Sequence, residues 1–95
     1  MSKKLPVLKM LSTPSCPACV QMAHVLDELN TLYGAEVRGE RVDLSQNMEM
    51  ARQYNVRYVP HLLFVNSSGE VVKEAVGVLS LKEVLETFRG AGVAL

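Results

Sequence analysis

The sequence predicts an α/β fold: a four-stranded mixed sheet with three flanking helices, in the order strand, helix, strand, helix, strand, strand, helix. Three observations lead there. Short apolar runs alternate with segments whose apolar residues recur at helical spacing, which favours parallel strands joined through helices. The turn cluster Asn66-Ser67-Ser68-Gly69 separates two strand-like runs, adding an antiparallel pair. The last segment opens on Ser80 and Glu83, the spacing of a helix capping box. With 95 residues and no repeat, linker or low-complexity stretch, residues 1–95 are expected to form one domain.

Each element has its own justification. Leu5 to Leu11 reads as a first strand with Lys9 as its one dissonant residue, and Ser12-Thr13-Pro14-Ser15 as the turn after it. A helix starts at Cys16 or Pro17, because proline suits the first helical position. Met22, Val25, Leu26, Leu29, Leu32 and Tyr33 form its apolar stripe, and Gly34 stops it. Val37 to Leu44 is a second strand. Asn47 to Tyr54 is a short helical segment whose apolar residues, Met48, Met50, Ala51 and Tyr54, do not share one clean face. His61 to Val65 is a strand entered through Pro60, where the missing N–H falls at the strand end. Glu70 to Val76 follows the hairpin turn. Leu81, Val84, Leu85 and Phe88 are the buried stripe of the last helix, ended by Gly90.

Composition narrows the function. Ten basic and ten acidic residues cancel, and three Tyr, two Phe and no Trp supply no aromatic and basic stripe, so neither nucleic acid nor anionic lipid is an expected partner. The start, Met1 to Leu11, resembles a secretion leader only superficially: its apolar part is short, Lys9 interrupts it and no small-residue cleavage site follows. No stretch approaches the roughly 20 apolar residues of a membrane span. The expected address is the cytoplasm.

That address bears on Cys16 and Cys19, the two cysteines of the chain. A stabilising disulfide framework needs more cysteines, farther apart, in an oxidising compartment. A thiol with an ordinary pKa near 8.5 is mostly protonated at neutral pH, and a helix N-terminus stabilises the thiolate through its unpaired N–H groups and dipole. Cys16 stands where the helix begins; Pro17 brings no N–H, so Ala18, Cys19 and the next turn must supply the donors. Cys19 lies three residues before Met22, on the apolar stripe, and should face inward. This phase assigns attack to Cys16 and resolution to Cys19. A zinc site is the competing reading, but such sites commonly need four ligands. Only His24 and His61 remain, and His24 points away from the apolar stripe.

Taken together, Cys16-Pro17-Ala18-Cys19 between a strand and a helix, Arg41-Val42-Asp43-Leu44, Asn47, the run Ala51 to Phe64 with Val59-Pro60, Gly69-Glu70 and Gly77 resemble the thioredoxin superfamily over nearly the whole chain. The resemblance implies a minimal thioredoxin-like fold, without the N-terminal strand and helix of a full thioredoxin. It also implies a cis Val59–Pro60 peptide bond facing the cysteines, and makes Val59 a substrate contact that pairs strand to strand with the bound chain. Two departures stand out. Ser15 replaces the tryptophan common before the first cysteine, and Met10 occupies the position of a buried acid, leaving Asp43 or a water as substitute proton acceptor for Cys19. Pro17 is also found in glutaredoxins. Those typically carry Thr-Val-Pro and a Gly-Gly turn, where this chain has Tyr58-Val59-Pro60 and Gly77-Val78.

The expected function is thus thioredoxin-like reduction of protein disulfides, with Cys16 and Cys19 catalytic, Pro17 and Ala18 in the active-site motif, and Val59 and Pro60 binding substrate. No cofactor or metal is expected, and the resemblance implies a thioredoxin reductase-type electron donor and a monomer. A glutathione-dependent, glutaredoxin-like enzyme and a dithiol module that binds metal or cluster are the alternatives. His61 either approaches the thiols or faces away. Arg41 and Arg57 read as solvated charges, and Tyr54 and Tyr58 as packing beside the Pro60 strand.

Overall fold

The apolar run after Pro6 extends as strand β1, Val7–Ser12, and its alternation splits it between two environments. Leu8 and Met10 join one apolar cluster, and Val7 and Leu11 the other. Lys9 shares the face of Val7 and Leu11, but there it borders an open cleft with Lys4, Arg38 and Glu40, so its charge stays hydrated. A computed structural model describes residues 4–95 of the chain. Met1 to Lys3, the start of the leader-like stretch, lie outside the described residues.

The following helix α1, Pro17–Tyr33, packs on the Leu8 and Met10 face. Cys19, Met22, Ala23, Leu26 and Leu29 are its buried residues, with Val25 and Tyr33 half-buried beside them. Leu32 corrects the expected stripe, being 63% exposed. It lies roughly 110° around the helix from the middle of the buried face, where the sheet no longer covers it. Strand β2, Arg38–Asp43, returns parallel to β1, with Leu8 opposite Gly39 and Met10 opposite Arg41. Gly39 lets the helix come close: a Cβ there would stand 2.9 Å from Leu26 Cδ2 and 3.3 Å from its Cβ. The Asn30 side chain then covers the strand's open edge, accepting from Gly39 N–H at 2.8 Å and donating to its carbonyl at 3.1 Å.

A single-turn 3₁₀ segment, Leu44–Gln46, precedes helix α2, Met48–Gln53, which is the short helical segment expected over Asn47 to Tyr54, flanked by those two residues as its caps. Asp43 caps the 3₁₀ turn, accepting from Ser45 N–H at 2.9 Å and Ser45 Oγ–H at 2.6 Å. Met50, Ala51 and Tyr54 pack on Leu11, Leu44, Leu63 and Val65, whereas Met48 is 60% exposed, which accounts for the absence of one apolar face.

Strand β3, His61–Val65, is buried at every residue because it lies inside the sheet with helices on both faces. Asn66 Oδ1 accepts from Ser68 and Glu70 N–H, both at 2.9 Å, closing the hairpin into β4, Val71–Val76. The sheet order is β2-β1-β3-β4, parallel for β1 with β2 and antiparallel elsewhere. The last helix, α3, Leu81–Gly90, shows the expected capping box, and its Phe88 ring meets Phe64 edge-on at 5.1 Å between centroids. Helices α1 and α3 thus share one face, and α2 takes the other. The expected strand bounds shift by one or two residues at β1, β2 and β4, where the ladder pairing begins inside the apolar run.

Candidate active site

The β1–α1 junction places Cys16 as the N-cap of α1, in extended backbone conformation, with Pro17 at the first helical position. Its sulfur accepts the Cys19 N–H at 3.1 Å, the donor expected from that turn. A sulfur in the role usually filled by a serine or aspartate oxygen takes one of the orphan donors of the helix start. Cys16 and Cys19 are joined by a disulfide, with their Cα atoms 5.2 Å apart. Cys16 is half-buried and reachable, whereas Cys19 is 5% exposed and belongs to the apolar cluster under α1. Ala18 is half-buried and Pro17 exposed.

The second wall comes from the segment before β3. The Val59–Pro60 peptide bond is cis, Pro60 is buried, and Val59 is half-buried beside the cysteines. The Val59 carbonyl oxygen lies 3.8 Å from Cys16 Sγ, a close contact in the disulfide form, which has no S–H to donate. Gly77 fixes this segment from the far side: its N–H donates to the Pro60 carbonyl at 2.9 Å, and it does so at φ 97°, a conformation that favours glycine. Residues 43 positions apart thereby meet at one sulfur, as the resemblance implies.

On the other side of the pair, a cleft of about 300 Å³ opens between the end of β1, the start of α1 and the end of β2. Its walls include Met10, Cys16, Cys19, Arg41 and Asp43. Met10 is 1% exposed, so an apolar side chain occupies the interior beside Cys19. Asp43 does reach this cleft, but it is exposed and its Oδ1 is engaged by Ser45. Arg41, read from the sequence as a solvated charge, borders the dithiol. The signal that could have placed it is strand parity: Gly39 and Arg41 lie on one face of β2, and Gly39 packs on α1.

One other candidate turns to the far face of the sheet. His61 is 8% exposed, pairs in register with Leu11, and bonds through Nε2 to Glu74 Oε1 at 2.8 Å, on the sheet face opposite α1. Tyr58 is 73% exposed and does not pack, while Tyr54 does. His24 is exposed on α1. Among the described residues, no three His, Cys, Asp or Glu side chains gather where they could hold a metal ion.

Comparison with known proteins agrees with this geometry. Residues 1–89 match the family model described as Thioredoxin. The chain belongs to the thioredoxin family. It is 38% identical over 73 residues to the thioredoxin of Bacillus subtilis, covering 77% of this chain and 68% of that one. It is 32% identical over 79 residues to the thioredoxin of Haemophilus influenzae, covering 83% and 73%. The solved structure of thioredoxin-2, a component of malaria parasite protein secretion machinery, superposes with a TM-score of 0.84 at 19% identity, over 95% of this chain and 86% of that one. A thioredoxin-family chain with a CXXC pair at the tip of α1 is a thiol–disulfide oxidoreductase.

Proposed function

We propose that this chain reduces disulfides in proteins, with Cys16 as the attacking thiolate and Cys19 as the resolving thiol. The observation that carries the reading is the asymmetry of the pair: one sulfur reachable and holding a helix N-terminal N–H, the other 5% exposed behind it. The Cys16 thiolate attacks one sulfur of the substrate disulfide; a Cys16–substrate bond forms, the substrate S–S bond breaks, and the departing sulfur takes a proton. Cys19, as thiolate, then attacks the Cys16 sulfur. The Cys16–Cys19 bond forms, the mixed disulfide breaks, and the second substrate sulfur leaves as thiolate to be protonated. Two electrons pass from the pair to the substrate, and a reductase of the thioredoxin reductase type returns them.

Val59 supports this reading as the substrate contact. Its backbone flanks Cys16 and, among the described residues, its N–H is not paired with another backbone group, so an incoming extended chain can use it. Buried Pro60 holds Val59 at that edge, and Pro17 and Ala18 shape the surface beside it. The reading takes residues 1–95 as one domain acting as a monomer in the cytoplasm, without a bound cofactor or metal. Among the described residues, no helix is long and apolar enough to cross a membrane.

The deciding assay is reduction of insulin disulfides with a thioredoxin reductase and NADPH, beside the same reaction driven by glutathione and glutathione reductase. Turnover with the first donor is expected. Turnover with glutathione alone would replace this proposal with the glutaredoxin-like one. Metal retained by reduced protein, with no turnover from either donor, would leave a dithiol binding module.

A further inference from the structure

The two faces of the sheet are covered unequally. One carries α1 and α3, helices of 17 and 10 residues. The other carries the 3₁₀ turn and α2, whose six residues reach about 9 Å. Strand β1 runs about 20 Å, so α2 covers its Leu11 end and leaves the Val7 end bare. There a cleft of about 600 Å³ opens over the starts of β1 and β2 and the end of β3.

The cleft has an apolar floor and a cationic rim. Val7 and Val65 stand opposite each other in the β1–β3 ladder, and both line it. Lys4, Lys9 and Arg38 line it against one carboxylate, Glu40, in a chain whose charges cancel overall. Glu40 stands opposite Lys9 in the parallel ladder and offsets it, leaving Arg38, opposite Val7, and exposed Lys4 as the uncompensated charges of the lining. Among the described residues, none of the three cations makes an ion pair. An apolar strip beside unpaired cations complements a ligand that brings apolar side chains and carboxylates together. A small phosphate compound would leave the floor uncovered, and a neutral apolar segment would leave the cations unused.

We propose that this cleft docks an acidic amphipathic helix of a partner protein, its apolar stripe on Val7 and Val65 and its carboxylates on Lys4 and Arg38. A helix is the occupant because helices cover the rest of the sheet, and about two turns match the bare length of β1. The dithiol follows the Ser12 end of β1, about 17 Å along the strand from Val7, so a docked helix leaves Cys16 reachable. The surface tethers the protein to its partner while the thiols work at the other end. This goes beyond the exchange reaction proposed above and does not depend on it.

The test uses the full chain in its oxidised form. The probe is a fluorescein-labelled helical peptide of about 15 residues, with leucines at i, i+3, i+4 and i+7 and glutamates flanking them. Anisotropy at about 20 mM salt should show saturable binding that weakens at about 0.5 M. The double variant Lys4→Glu/Arg38→Glu should bind about tenfold more weakly. It should also gain affinity for the same peptide with lysines in place of the glutamates, an exchange of preference that a folding defect cannot produce. Insulin reduction should be unchanged in the double variant and in wild type saturated with peptide. Absence of binding would overturn the proposal, as would equal binding of a glutamine version of the peptide. Displacement by inorganic tripolyphosphate at matched ionic strength would make the cleft a phosphate site and overturn it. Inhibition of insulin reduction by the peptide would do the same by placing the helix at the dithiol. A dimer in sedimentation that Arg38→Glu dissolves would overturn it by giving the cleft to a second copy of this chain.

Discussion

At the scale of single residues, the two sulfurs differ in what surrounds them, and the difference is chemical as well as steric. Cys16 combines access with a donated N–H; Cys19 combines burial with proximity. Cys16→Ser should abolish disulfide reduction, since no other thiol can start the exchange. Cys19→Ser should still attack and then stall, so that protein isolated from a reaction with insulin carries a covalent adduct visible by mass spectrometry. An adduct on the Cys16→Ser protein and none on the Cys19→Ser protein would reverse the two roles. Cys16 and Cys19 were legible from spacing alone, because Pro17 fixes the helix start and the apolar stripe fixes its phase. Arg41 was not, because a charge on a strand reads as solvated until the neighbouring strand and helix are placed.

At the scale of elements, α3 is the part whose sequence carried the most information. Ser80 accepts from Glu83 N–H at 3.1 Å, and Glu83 accepts from Ser80 N–H at 3.0 Å. Removing the serine hydroxyl by Ser80→Ala should lower stability by about 1 kcal/mol, read from urea denaturation. The same cap has a pH signature. The backbone hydrogen bond from Ser80, and then the one involving its side chain, hold the Glu83 carboxyl below its ordinary value of 4.5. A lowered folded-state value means that the glutamate's contribution is present above that ordinary value and is lost as the pH falls through the lowered one. Wild type and Glu83→Ala should therefore differ in Tm at neutral pH and converge in acid, below the ordinary carboxylate range. A difference that persists unchanged there would show that the carboxylate is not the stabilising form. The segment after β2 was less legible for a physical reason: six residues of α2 are too few to express a periodic face, and its position is set by packing on Leu44 and Leu63.

At the scale of the whole molecule, the site exists because α1 lies close enough to the sheet to bring its first turn over the ends of β1 and β2. Gly39 permits that approach, so Gly39→Val should push α1 off the sheet and destabilise the fold by about 1–3 kcal/mol, measurable as a lower urea midpoint. Phe88→Ala, which empties the contact with Phe64 on the same face, should remove about 3–5 kcal/mol, a large share of a small domain's stability. By itself the sequence determined the element order, the mixed sheet, the capped last helix and the reactive pair, all of which follow from local periodicity and turn chemistry. Only the tertiary structure decided that His61 turns to Glu74 and that Arg41 shares a cleft with the sulfurs. Those outcomes depend on strand register and on which face each helix covers, and both are set by contacts between residues far apart in the chain.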